Sequence, residues 1–203
     1  YFTRFSFLQS IKELCNVGYK LIMFNIIVGT NREGSLSLVA AQDISAIYTD
    51  LGIENQLLLL SDLPPETFSP QAYADKPESV VEMTNEVLKS SGLVVVTPEY
   101  NGSMPGALKL FIDLLPFPES FEGRPVSFVG LSAGQFGALR PVEHLQQIFG
   151  YRNAHIFPER VFIPRAHESI SHADGITDED LQSRLKKQAE GFAGFCRKLG
   201  SLD

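Results

Sequence analysis

Apolar runs of strand length recur along the chain, each followed by a stretch in which apolar residues return every three or four positions. Residues 21–28, 56–60, 93–97, 126–131 and about 155–163 read as five strands. The last contains Pro158, which brings no N–H to a ladder and is expected to interrupt it. Between and after the strands, residues 36–51, 77–90, 104–115, 139–149 and 177–199 carry helical spacing. Thr177 stands as the expected cap of the last helix, with Asp180 three residues on and acids in the first turn to suit the helix dipole.

Strands that alternate with helices predict parallel pairing through crossover helices, and near-continuous apolar strands predict cover on both faces. The expected fold is α/β: a three-layer sandwich around a five-stranded parallel sheet, most simply in the order 2-1-3-4-5. Ligands then belong at the carboxyl ends of the strands, in the crevice where the order reverses. The stretch SDLPPETFSPQAYADKP, residues 61–77, is the one linker-like segment and is expected as a rim or partner loop. The patterned chain begins at Met23, so residues 23–203 form the expected domain and residues 1–22 an N-terminal extension.

Composition narrows the function. The chain has 203 residues, 44% of them hydrophobic and 20% charged, enough for one domain with its own core. A net charge of −7 with no dense Lys/Arg run lacks the footprint of a nucleic-acid binder. No window reaches the roughly 20 apolar residues of a membrane-spanning helix. Cys15 and Cys196 are far apart and show no CxxC, and the four histidines show no HExxH. That argues against a disulfide framework and a zinc site, and makes a reducing, cytoplasmic setting the expectation.

Three segments could carry chemistry. GTNREGS, from Gly29 to Ser35, has the look of a nucleotide loop but puts Ser35 where a P-loop has its lysine, so a site for transfer between β- and γ-phosphates is not expected. If it joins a strand to a helix, the unpaired N–H groups there favour an anion, with Thr30, Ser35 and Ser37 adding hydroxyls and Arg32 a guanidinium. An ordinary turn, with Ser35 as cap and Arg32 in solvent, reads the same residues. In the second segment, Pro98 ends the third strand, Asn101 and Gly102 suit a turn, and Ser103 with Pro105 marks a helix start. The backbone from Glu99 to Gly102 could read the polar edge of a planar ring beside Tyr100, or Glu99 could be a solvated loop acid and Tyr100 a packing residue. The third, GLSAGQFG from Gly130 to Gly137, has glycines that admit positive φ and close approach. It also contains G-x-S-x-G around Ser132, so a serine hydrolase is a rival reading, with Asp174 or Glu159 and then His167 or His172 as nominal partners.

Taken together, the three segments resemble the NADPH-dependent FMN reductase family of flavodoxin-like proteins, whose members include quinone, azo-dye and chromate reductases. The family's G-S-x-R-x-x-S-x-N loop is matched from Gly29 to Ser37, with Thr30 for Ser and Ser37 for Asn as departures. P-E-Y-N-x-S-x-P-G-x-L-K is nearly intact from Pro98 to Lys109, followed by Asp113, and S-x-G-x-x-G is matched by Ser132, Gly134 and Gly137. Asp62-Leu63-Pro64 is similar to the family's segment after the second strand.

The resemblance implies FMN as cofactor, with Thr30, Arg32, Ser35 and Ser37 at its phosphate. It further implies that Pro98, Glu99, Tyr100, Asn101 and Gly102 line the ring and that Ser132, Gly134 and Gly137 close the other side. It implies an oxidoreductase that draws electrons from NADPH or NADH and passes them to a quinone-like, azo or other small acceptor, with no side-chain nucleophile and no metal. A flavodoxin-like electron carrier is the alternative. Membrane and nucleic acid are not expected as partners. A homodimer or homotetramer is, with Leu114, Phe117 and Phe121 as candidate contact surface.

Overall fold

The computed structural model describes residues 23–200, so the extension expected over residues 1–22 lies outside the described residues. Five parallel strands run in the order β2-β1-β3-β4-β5. They are β1 (Met23–Val28), β2 (Glu54–Leu59), β3 (Gly92–Pro98), β4 (Pro125–Leu131) and β5 (His155–Ile156), and β6 (Val161–Ile163) pairs with β4 beyond β5. Ile26 of β1 lies between Leu57 of β2 and Val94 of β3, and Val95 pairs with Phe128 of β4. The crossovers are α1 (Leu36–Asp50), α2 (Glu78–Lys89), α3 (Gly106–Leu114) and α4 (Leu139–Tyr151).

β3 and β4 are buried along their whole length, as strands covered on both faces must be. Because side chains alternate across a strand, β1 sends Phe24, Ile26 and Val28 into one core and Ile27 into the other. The first core closes under α1 and the long C-terminal helix, with Phe24 edge-on to Tyr48 at 5.0 Å and tilted against Phe192 at 5.0 Å. Cys196 also lies here, and burial pushes its thiol up to about 12, which keeps it protonated and inert. The second closes under α2, α3 and α4, with Phe149 edge-on to both Phe121 and Phe128. Leu114 and Phe121 are fully buried in this core, so of the three residues expected at a subunit contact only Phe117, 56% exposed, faces outward.

The fifth predicted strand is in two pieces. From Ile156 to Val161 the edge advances five positions while β4 advances three, from Val126 to Val129, and Pro158 sits in the excursion. The Pro-rich stretch after β2 folds as three short 3₁₀ turns, Leu60–Asp62, Pro65–Phe68 and Pro70–Tyr73. A one-turn helix α5 (Ala166–Ser169) and a small hairpin of β7 (Ile170–Ser171) with β8 (Gly175–Ile176) come between β6 and α6 (Glu179–Gly200) and were not foreseen. Asp43 of α1 anchors that hairpin, its Oδ2 accepting from the Ile176 N–H at 2.6 Å. The cap of α6 is Asp178, whose Oδ1 accepts from the Leu181 N–H at 2.9 Å, and not Thr177, whose hydroxyl donates to the Ser169 carbonyl.

Candidate functional site

The crevice forms where β1 and β3 part to neighbours on opposite sides. Gly29 closes β1 against β3: its N–H donates to the Val96 carbonyl at 2.8 Å, and a Cβ there would meet the same oxygen at 2.8 Å. Hence glycine is required where the loop leaves the sheet. Ser35 caps α1, accepting from the Leu38 N–H at 3.3 Å. A capping hydroxyl accepts through a lone pair and keeps its proton to donate. The N–H groups of Leu36 and Ser37 have no acceptor among the described residues, and Arg32 is exposed beside them. Ser37 is buried in the first turn of the helix.

Thr30 turns inward. Only 1% exposed, it accepts from the Arg32 N–H at 3.2 Å, and its hydroxyl meets the Tyr100 hydroxyl of the next loop at 2.8 Å. In that loop, Asn101 (φ 52°) and Gly102 (φ 76°) are both left-handed, the geometry of a type I′ turn that Asn-Gly favours. Tyr100 and Ser103 close it with reciprocal backbone bonds of 2.8 and 3.0 Å, and the Glu99 N–H donates to the Leu131 carbonyl at the end of β4. Pro98 is buried, and Pro105 leads into α3. The turn is therefore held rigidly, and the Asn101 and Gly102 peptide groups take no part in these bonds.

The loop after β4 is sewn to the chain that follows β6. Ser132 N–H donates to the Ile163 carbonyl, Ala166 N–H to the Ser132 carbonyl and Arg165 N–H to the Gly134 carbonyl. Gly137, with φ of 56°, lies where a Cβ would sit 2.8 Å from the Ile163 nitrogen, so its bareness serves packing against β6. Gly130 does the same against the Gly137 carbonyl at 2.6 Å. Gly134 and Gly102 are different: the nearest atoms to a Cβ on either are Ser132 Oγ and Arg140 Nη1, both at 3.9 Å. At these two positions the backbone is open to close approach by a flat molecule.

A phosphate donor set at a helix start and glycine-open backbone on two flanking loops fit FMN: hydrogen bonds and dipole for its phosphate, bare peptide edges for its ring. Ser132 Oγ donates to the Gly134 carbonyl at 3.1 Å, and among the described residues no hydrogen bond joins it to a histidine, so the hydrolase arrangement is not formed. Two residues that sequence reasoning left aside border the site. His144 of α4 shares a 2.9 Å hydrogen bond with Ser103, and Arg140 reaches Glu99, Nη1 to Oε1, at 4.0 Å. Helical spacing placed both on α4 and gave no sign that they face the β3 loop.

The sequence profile of the NADPH-dependent FMN reductase family matches residues 23–168. An NAD(P)H-dependent FMN reductase of Pseudomonas aeruginosa is 28% identical over 177 residues, which cover 85% of this chain and 94% of that protein. A quinone reductase of Escherichia coli K12 is 31% identical with the same coverage. Among solved structures, FerB of Paracoccus denitrificans, a flavoenzyme NAD(P)H:(acceptor) oxidoreductase, superposes with a TM-score of 0.74 at 27% identity, covering 87% of this chain and 98% of that one.

Proposed function

Because the chain belongs to the NADPH-dependent FMN reductase family, we propose that it is an FMN-dependent NAD(P)H oxidoreductase that reduces quinone-like, azo or other small acceptors. The observation that carries this reading is the convergence of three loops on one crevice, joined by the Thr30 to Tyr100 bond and the Glu99 to Leu131 bond. When bound, FMN supplies the relay of electrons between nicotinamide and acceptor.

The protein's own contribution is positional. Arg32, Ser35 and the N–H groups at the start of α1 hold the phosphate, while Ser37 shapes the buried side of that turn. Thr30 acts through Tyr100, fixing the distance between the phosphate loop and residues 98–102. The type I′ turn, closed through the Tyr100 N–H and C=O, holds the Glu99 carbonyl and the Asn101 and Gly102 peptides in one orientation, so they read the ring's polar edge without reorganising. Ser132 and Gly134 wall the opposite side, with Gly137 keeping that loop against β6. No nucleophile or metal takes part in this scheme.

Two finer readings go with it. A cytoplasmic setting suits a user of reduced nicotinamide; no helix among the described residues is long and apolar enough to cross a membrane. A homodimer or homotetramer suits the groove of about 650 Å³ between α3 and α4, edged by Ser103, Met104, Ile112, His144 and Tyr151.

The test is optical. The purified protein is expected to show flavin absorption, or to acquire it on adding FMN, and to bleach promptly when NADPH is added without oxygen. Protein that is colourless and takes up no FMN would sink the reading, and flavin that stays oxidised would leave an electron carrier in its place.

A further inference from the structure

Exposed arginines stand around the crevice in unequal circumstances. Arg32 belongs to the phosphate loop, and Arg165 already donates Nε–H to Glu168 at 3.0 Å. Arg140, the second residue of α4, reaches back across the β3 loop. Its Nη1 stands 3.9 Å from where a Cβ of Gly102 would be and 4.0 Å from Glu99 Oε1. The separation from Glu99 is too long for a hydrogen bond. Attraction at that range restrains the guanidinium without using its donors, and no other hydrogen bond engages it among the described residues. The arginine side chain is 65% exposed and the glutamate 20%, so the arginine is the more open to solvent of the pair. Position 102 is the open place in P-E-Y-N-x-S; with glycine there, no side chain stands between the backbone of that turn and the arginine of α4.

A chain of net charge −7 repels anions at long range. A planar cation with free donors at the crevice mouth offsets that repulsion locally and selects by shape, because a guanidinium meets a carboxylate, phosphate or enolate in two parallel hydrogen bonds. We propose that Arg140 is a specificity-determining residue, receiving an anionic group of the molecule that enters beside residues 98–102. The anion is a phosphate of the nicotinamide dinucleotide or the acidic oxygen of an electron acceptor. The inference rests on the FMN reductase reading above.

The experiment compares the holoprotein with Arg140→Gln and Arg140→Lys. FMN content is read from the visible spectrum, and binding from the spectral change on titrating oxidised protein with NADP⁺ and with 2-hydroxy-1,4-naphthoquinone, an anion at neutral pH. Titrating the oxidised protein with the uncharged menadione is the control. Losing a charge-assisted bidentate contact is expected to weaken one of the two anions by about 5- to 30-fold in Arg140→Gln, with FMN content and the spectrally titrated affinity for menadione as in the parent. Arg140→Lys, which keeps the charge but not the fork, falls between. A loss confined to NADP⁺ identifies the dinucleotide phosphate as the anion, and one confined to the naphthoquinone identifies the acceptor. Unchanged affinity for both anions overturns the proposal. So does loss of FMN from Arg140→Gln, which would make the residue part of the cofactor's own binding. A parent protein that takes up no FMN fails the underlying function instead, and the two failures are told apart before any variant is titrated.

Discussion

Thr30 and Tyr100 show how little of a site is carried by any residue alone. They lie 70 positions apart, and both could be named from the sequence, yet their 2.8 Å bond was legible in neither. A spacing rule finds neighbours on one element; this contact exists because β1 and β3 are neighbours in the sheet, and only topology supplies that. The same holds for Gly137, whose glycine was legible as conformational freedom but not as room for β6. Tyr100→Phe keeps the ring and removes the bond between the loops. Thr30 keeps the Arg32 N–H as a partner, so the loss is about 1 kcal/mol, expected as a roughly fivefold rise in the FMN dissociation constant. Titrating apoprotein with FMN and following its fluorescence checks this. Unchanged affinity with lowered thermal stability would confine the bond to the fold.

Helices and strands were legible wherever their own residues decide them. Near-continuous apolar runs gave β1, β3 and β4 because those strands are buried on both sides, and α1 to α4 followed from their apolar stripes. What stayed hidden is settled by distant partners. The β7–β8 hairpin has only two residues in each strand and is held by Asp43, 133 positions earlier than Ile176. The cap of α6 is a similar case: Thr177 and Asp178 are both good cap formers, and the Ser169 carbonyl decides between them by taking the Thr177 N–H at 2.9 Å and its hydroxyl. Asp178→Ala is therefore expected to cost about 0.5–2 kcal/mol, and Thr177→Ala less, in urea unfolding. Equal losses would return the cap to Thr177.

At the scale of the whole molecule, the two cores leave some aromatic surface uncovered. Tyr151 is 82% exposed and Phe117 56%, and Arg152 lies over the Phe117 ring at 4.4 Å beside the α3–α4 groove. If copies of the chain meet there, light scattering will read a mass that is a multiple of 22.5 kDa. Phe117→Lys, which puts a like charge beside Arg152 into the contact, is then expected to shift the population toward monomer. A monomeric parent at micromolar concentration would remove the interface. Charge and composition pointed to a self-sufficient domain, but which apolar residues face outward depended on how the turn after α3 folds, and that turn tucked Phe121 inward. The broken edge of the sheet has a consequence of another kind. A long, straight outer strand is a template on which foreign chains can assemble into fibrils. Here the edge offers two residues, then Pro158 with exposed Glu159 and Arg160, then three more, so an incoming strand meets a missing donor and two charges before it can zip up. The interruption that Pro158 marks in the sequence thus guards this edge of the sheet against templated pairing.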